Sequence, residues 1–316
     1  MNSRPGDAAF VDETIPSALS GERVDRLVAL LTDCTRAEAA SSVTDGSVHL
    51  DGRVVTKPST RAAEGARLVV DRDPRRTPDM PHADESVVFE VVYEDDDVVV
   101  IDKPAGLVVH PAPGHAGETL VNGAVARWPD MAGVGEVHRP GIVHRLDKGT
   151  SGLMVLARSE RAYLDLVDQL ATHDVTRDYE ALVWGRVATA VGSIDAPVGR
   201  SRRNPLRMAV TSDGRYARTN FAVRAHLDGD RVLTRLDVSL ETGRTHQIRV
   251  HLRSIGHPVV GDDLYGGRRP PLGLARPFLH ARRLRFDHPG SGEAVEFEAP
   301  LPDDLRSCLE ALGATP

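Results

Sequence analysis

The sequence predicts an α+β protein with two domains: a small ααββ domain at the N-terminal end, then a larger domain on a mixed, mainly antiparallel β-sheet. Three observations predict it. At 316 residues the chain exceeds one ordinary small domain and falls short of three. A stretch poor in apolar residues, RDPRRTPDMPHAD with Pro74, Pro78 and Pro81, interrupts the periodic pattern and marks a linker. Beyond it, apolar strand-like runs outnumber helical ones and do not alternate with them regularly, which argues against a doubly wound parallel sheet.

Taken in order, residues 1–14 (MNSRPGDAAFVDET) carry no apolar run of signal-peptide character and are expected to be a loose tail. The first domain is placed at residues 15–72. Val24, Leu27, Val28 and Leu31 recur at helical spacing. Thr35 and Glu38 form the S/T-x-x-E pattern of a capping box, so a second helix starts there and stops near Gly46. SVHL, then Asp51-Gly52, then RVV reads as a hairpin, because Asp-Gly supplies the positive φ angles of a tight turn, and ARLVV near residue 70 reads as another strand. The linker is placed at residues 73–86 and the second domain at 87–316. There VVFEVVY, VVVID, LMVLA, YEALVWGRV, TNFAVRAHL and VLTRLDVSL read as strands. Helices are expected at about 118–127, at 159–171 with Ser159 as its cap, and at 246–255 with Gly256 ending it.

Composition narrows the function. A chain that is 41% hydrophobic and 27% charged, with no apolar run long enough to cross a bilayer, fits a soluble protein, and a cytoplasmic location is expected. Cys34 and Cys308 are too far apart in sequence to make a disulfide framework or a cysteine metal site and read as packed thiols. The net charge of −7 alone argues against a nucleic-acid partner. Its distribution argues the other way, since residues 199–253 carry twelve arginines against five acids. A GC-rich genome is one explanation of that arginine bias; a surface facing RNA or DNA is the other.

GIVHRLDKGTSGLMVLA, residues 141–157, is a polar, glycine-punctuated loop that runs into an apolar strand. Its one carboxylate, Asp147, lies between Arg145 and Lys148, and cations so close favour a charged carboxylate fit to act as nucleophile or base. A turn aspartate capping local amides is the alternative, which composition alone favours. In ETGRTHQIRVHLRSIGHP, Ile248, Leu252 and Ile255 form an apolar helix side, with His246, Arg249 and Arg253 roughly opposite. That basic side is either a solvated face or the lining of a substrate groove with an arginine reaching the carboxylate. No metal site is expected: His246 and His251 are five apart, which points their rings to different sides, and neither cysteine has a CxxC partner. Serine-hydrolase and phosphate-loop motifs are also missing.

HRLDKGTSGLMVLA resembles the signature of the RluA family of pseudouridine synthases, and DKPAGLVVHPAPGHAGETLVN before it, then RDYEALVWG, TGRTHQIRVHLRSIGHPVVGDDLYG and LHARRLRFDHP after it, continue the resemblance over residues 87–300. GLVVHPAPG and PGIVHRLDKGTSGLMV are most similar to the family's D branch, and TRAEAASSVTDGSVHLDGRVVTKPS resembles an S4-like RNA-binding domain. The resemblance implies a pseudouridine synthase fold and an isomerisation that breaks the uracil glycosidic bond, turns the base and joins C5 to the ribose, with no cofactor or metal. It implies Asp147 as the catalytic carboxylate, Tyr179 as a ring that stacks on the flipped base and assists proton removal from C5, and Arg249 as the partner of the carboxylate, with Ile248 beside it. Arg145 would fill the space the extruded uridine leaves, helped by His144. Arg177 stands where the family commonly has lysine, keeping the charge and changing its shape. His246, Arg253, Arg36 and Lys57 are the further candidate RNA contacts. The expected partner is 23S rRNA or a precursor of the large ribosomal subunit, and the expected state is a monomer. Rival readings are a related synthase acting on tRNA or another rRNA site, and a non-catalytic RNA-binding or ribosome-assembly factor.

Overall fold

The computed structural model describes residues 10–71, 80–110, 117–202, 204 and 207–315, which form two compact units, one before and one after residues 72–79. In the first unit, β1 (Val11–Thr14) precedes α1 (Val24–Thr32) and α2 (Arg36–Thr44), and β2 (Val48–Leu50), β3 (Arg53–Val54) and β4 (Arg67–Val70) follow. The four strands pair antiparallel in the order β1-β4-β2-β3. The helical stripe is buried through Val24, Leu27 and Val28, which meet Ile15, Val43, Val48, Leu68 and Val70 in one core. The Thr35–Glu38 capping box forms, and α2 is followed by Gly46 at φ 84°. Asp51 and Gly52 turn the β2–β3 hairpin with φ of 52° and 75°, the mirror-image geometry that suits strand twist.

Two boundaries differ from expectation. Residues 11–14, read as tail, are a sheet strand: β4 has an open edge, and the backbone of Val11–Thr14 pairs with Val70–Arg67 along it. The first unit therefore has four strands, the hairpin pair and the ARLVV strand read from the sequence together with β1, while residues 1–9 lie outside the described residues. The predicted linker, 73–86, lies outside the described residues over 73–79, and 80–86 belong to the second unit. Their polar backbone is satisfied there, since Asn122 Nδ2 donates to the His82 carbonyl at 2.8 Å and Asp84 N–H donates to the Asn122 carbonyl at 3.1 Å.

The second unit runs β5 (Glu90–Glu94), β6 (Val98–Lys103), α3 (Leu120–Arg127), β7 (Ser151–Ala157), α4 (Glu160–Thr172) and β8 (Thr176–Trp184). It continues with β9 (Val191–Asp195), β10 (Val198–Arg200), β11 (Met208–Val210), β12 (Arg218–Leu227), β13 (Leu233–Leu240), α5 (Gln247–Ser254), β14 (Leu279–Asp287), β15 (Ala294–Glu298) and α6 (Asp303–Ala311). A nine-stranded sheet follows the order β5-β6-β7-β14-β8-β13-β12-β9, with β15 also on β14, and β10 and β11 pair separately. Every strand pair in it is antiparallel except β7 with β14. This is the mixed, mainly antiparallel α+β architecture that the strand-rich pattern predicts.

All seven residues of β7 are buried, as suits a strand covered on both faces. Its backbone comes so close to β14 that a Cβ on Gly152, which has φ 115°, would lie 2.3 Å from the Ala281 carbonyl oxygen. Glycine alone permits that approach. One face of the sheet packs Val99, Ile101, Met154 and Leu156 with α3, α5 and α6, and the other packs Val98, Val100, Leu153 and Val155 with α4 and Phe286.

Burial of His280 is expected to make this unit sensitive to acid. His280 on β14 is fully buried, with Nδ1 3.0 Å from Ser151 Oγ and Nε2 3.3 Å from the Ala299 carbonyl. Burial pushes it down to about 4. The unfolded chain then binds a proton near pH 6.5 while the folded one does not, so this stability is present above pH 6.5 and lost as pH falls toward 4. We expect His280 to cost about 2–3 kcal/mol between pH 7.5 and 4.5, and denaturant unfolding of His280→Gln to show a correspondingly shallower pH dependence. An equally steep pH dependence in the variant would assign the acid sensitivity elsewhere.

Candidate active site

The loop between residues 141 and 150 delivers Asp147 to the floor of a cleft of about 650 Å³. Its backbone is pinned on both sides. Thr150 N–H donates to the Asp147 carbonyl at 3.0 Å, and Gly106 N–H donates to the Lys148 carbonyl at 2.7 Å. From behind, Arg276 donates to the Gly149 carbonyl and to Ser151 Oγ while it pairs with Asp304 at 2.6 and 2.8 Å, tying the loop to α6. Asp147 thus sits on a fixed loop.

Its charge partner comes from a distant segment. Arg249 Nη1 lies 3.2 Å from Asp147 Oδ2, while Nε and Nη2 grip Asp262 at 2.7 and 2.9 Å. Asp262 also accepts the N–H groups of Leu264 and Tyr265 at 3.0 and 2.9 Å, so it is itself immobile. Burial opposes the charge on Arg249, but Asp262 and then Asp147 outweigh it and raise its pKa. The flanking cations Arg145 and Lys148 are exposed, and the side chains paired with Asp147 are Arg249 at 3.2 Å and His246 Nε2 at 4.0 Å. The cationic and imidazole groups that meet Asp147 therefore come from the start of α5 rather than from its neighbours in sequence. The solvated-face alternative for α5 also falls, because Arg249 is buried, whereas Ile255, expected on the apolar side, is exposed at the helix end.

The TGRT turn before α5 is held by Gln247, whose Oε1 accepts from Thr242 Oγ1 at 2.8 Å and Arg244 N–H at 2.9 Å. Its Nε2 donates to the Arg218 carbonyl and Thr219 Oγ1 at 3.0 Å. That clamp fixes where the helix starts. His251, weighed as a metal ligand, contacts Thr219 Oγ1 and the Ala196 carbonyl at 2.9 Å with its two nitrogens and does not meet His246. Among the described residues no three His, Cys, Asp or Glu side chains gather as a metal-holding group.

Strand β8 brings Tyr179 to the same cleft. The ring is buried, and burial pushes its phenol up to about 12, so the side chain is a neutral O–H at physiological pH. Arg177 is buried beside it and donates Nη2 to the Glu241 carbonyl at 3.1 Å; the loss of solvent lowers its pKa. Val167, Leu170 and Ala171 of α4 add an apolar wall to the cleft.

His144 lines the cleft beside Arg145. Its Nε2 accepts the Val155 N–H at 3.1 Å, and burial lowers it to about 3. It is a neutral ring tied to β7. Of the other candidates, Arg145 and His246 line the cleft, and Arg253 is exposed one turn beyond Arg249 without lining it. Arg36 and Lys57 are exposed on the first unit, where Arg36 Nε is 3.4 Å from the buried Asp25.

Three residues of this region had no reading from sequence. Asp262 and Tyr265 were present in VVGDDLYG, where two carboxylates and a tyrosine after an apolar run were the available signal. Lys103 of DKPAG is fully buried, with Nζ donating to the Pro104 and Leu107 carbonyls at 2.8 and 2.9 Å. Burial pushes it down to about 7 although Asp147 acts to raise it.

The family model described as RNA pseudouridylate synthase matches residues 97–254, which carry Asp147, Tyr179 and Arg249. The chain belongs to that family. An S4 domain matches residues 22–68, within the first unit. The chain is 43% identical to the Bacillus subtilis RNA pseudouridine synthase YlyB over 96% of its own length and 98% of the relative's. It is also 43% identical to ribosomal large subunit pseudouridine synthase D of Pseudomonas aeruginosa, with 94% of each chain covered. Among solved structures, human RNA pseudouridylate synthase domain containing 1 superposes with a TM-score of 0.55 at 28% identity, covering 73% of this chain and 96% of that one. An RNA pseudouridine synthase with an S4 domain is therefore an isomerase acting on RNA.

Proposed function

We propose that this synthase isomerises specific uridines of 23S rRNA, free or within a large-subunit precursor, with Asp147 as its catalytic carboxylate. The observation that carries the assignment is the Asp147–Arg249 pair on a fixed loop in a cleft that Tyr179 also lines. The rRNA substrate is supported by the relatives named ribosomal large subunit pseudouridine synthase D.

The reaction breaks the bond from N1 to C1′, forms one from C5 to C1′, releases the C5 proton and returns a proton to N1, so no oxidant or reductant is consumed. A carboxylate near the anomeric carbon suits glycosidic chemistry. Arg249, fixed by Asp262, holds that carboxylate in place and balances its charge. Tyr179 offers a ring face to the uracil and a neutral O–H to the proton transfer at C5, against the apolar wall of α4. The target must leave its stack to reach this floor, and Arg145 at the rim is placed to fill the space it vacates. The protein is proposed to work in the cytoplasm as a monomer, without cofactor; no helix among the described residues is long and apolar enough to cross a membrane.

The deciding assay uses 23S rRNA transcripts or large subunits carrying tritium at uridine C5, with EDTA present throughout. Release by the purified protein is expected; binding without release would sink the reading for those substrates. Mapping pseudouridines in a deletion strain then identifies the target RNA, since only the true positions lose them. Tyr179→Phe, which keeps the ring, is expected to lower kcat about 10- to 100-fold, and Tyr179→Leu by at least tenfold more. Equal losses in the two variants would remove the O–H from the mechanism.

A further inference from the structure

His246 has a backbone conformation that residues other than glycine rarely adopt, with φ 56° and ψ 21°. Such conformations persist where their surroundings hold them. Tyr265 is one holder: its Oη lies 2.9 Å from Met208 N and 2.9 Å from His246 Nδ1. A backbone N–H can only donate, so Oη accepts from Met208 and directs its own hydrogen to Nδ1. The neutral ring then carries its hydrogen on Nε2. Burial favours that neutral form.

Nε2 faces Asp147 Oδ1 at 4.0 Å, while Arg249 engages the other carboxylate oxygen, Oδ2. That gap is too long for a hydrogen bond, yet an oxygen atom placed about 2.8 Å from both ends would close it. Among the oxygens that an RNA substrate offers, one that bridges the two must accept from Nε2–H and donate to the carboxylate, which a ribose hydroxyl does and a carbonyl or phosphate oxygen does not.

We propose that this gap seats the ribose 2′-hydroxyl of the target uridine, between His246 Nε2–H and Asp147 Oδ1. The proposal rests on Asp147 being the catalytic carboxylate. A carboxylate that approaches C1′ on the face opposite the base has the 2′-hydroxyl beside it, and one that removes a proton from C2′ is a single bond away. The 2′-hydroxyl is both donor and acceptor and is the group that separates RNA from DNA. His246, expected as an RNA contact, is thereby a neutral specificity-determining residue, and Tyr265 is its positioning residue.

The test is a two-by-two comparison on full-length protein. Tritium release is measured for wild type and His246→Asn on 23S rRNA transcripts made with uridine or with 2′-deoxyuridine, each labelled at C5. Asparagine tolerates the left-handed backbone and is too short to reach the gap. For wild type, deoxyuridine is expected to lower kcat/KM about 10- to 100-fold, and His246→Asn to lower it similarly on the uridine transcript. With both changes the second is expected to cost less than about threefold, because the hydrogen bond is already gone. Penalties that multiply would overturn the proposal, and the pairing cancels any effect of deoxyuridine on RNA folding.

If the deoxyuridine transcript gives no release with either protein, competition between the two transcripts decides. Wild type is expected to prefer uridine RNA at least threefold more strongly than His246→Asn does, and equal preferences overturn the proposal. Tyr265→Phe tests the same chain without touching the histidine, and its loss is expected to follow the same pattern on a smaller scale; full losses on both transcripts would mark a merely structural role. Release by wild type that Asp147→Asn abolishes establishes the underlying reading independently of either outcome.

Discussion

Asp147→Asn is expected to lower tritium release from labelled 23S rRNA by at least about 10⁴-fold, while binding of the transcript changes by less than about threefold. The substitution keeps the shape of the side chain and an oxygen for Arg249 Nη1, and Arg249 stays gripped by Asp262, so the cleft should survive. What it removes is the negative charge, and with it attack on the ribose or capture of a ribose proton. Single-turnover release and filter binding measured on the same preparation separate the two effects. Release within tenfold of wild type would mean that Asp147 only orders its loop.

Arg249→Lys is expected to lower kcat about 10³-fold with a smaller change in KM. Arginine's fork reaches both carboxylates at once, and an ammonium group cannot hold Asp262 by two bonds and Asp147 by a third. Arg249→Ala should do more. Asp262 would be left buried with its main cation gone, and removing one partner of a buried pair typically costs about 3–5 kcal/mol. Denaturant unfolding should show that loss in Arg249→Ala, with a much smaller one in Arg249→Lys. Activity in Arg249→Lys within threefold of wild type would reduce the arginine to a counter-charge without a geometric role.

The fold class was legible because strand-rich patterning and a proline-rich break are local signals. The two helices of the first unit, their capping box and the Asp51-Gly52 turn were readable for the same reason. Strand β1 was not, because VDET follows a polar, glycine-containing segment and owes its structure to the open edge of β4 rather than to its own pattern. Strands β14 and β15 were hidden by arginines and acids: Arg282, Arg283 and Arg285 alternate with core residues, and the charges read as surface. For the site, motif resemblance supplied Asp147, Tyr179 and Arg249, whereas spacing alone left α5 as either groove lining or solvated face. Asp262 and Tyr265 were beyond sequence reasoning because their roles exist only in space, where they immobilise an arginine and a histidine from another segment.

The parallel contact between β7 and β14 also governs how the catalytic unit comes into being. Strands β5, β6 and β7 are consecutive and can zip together early, but the neighbour that covers the other edge of β7 arrives more than a hundred residues later. During synthesis, a strand that will be wholly buried therefore waits with its edge open until Leu279–Asp287 has emerged. The same late segment closes the sheet onto β8, the strand that presents Tyr179, and Arg249 and Asp262 precede it only shortly. The nascent chain thus holds an unfinished sheet and an unassembled reaction centre together, and a single late docking event completes both.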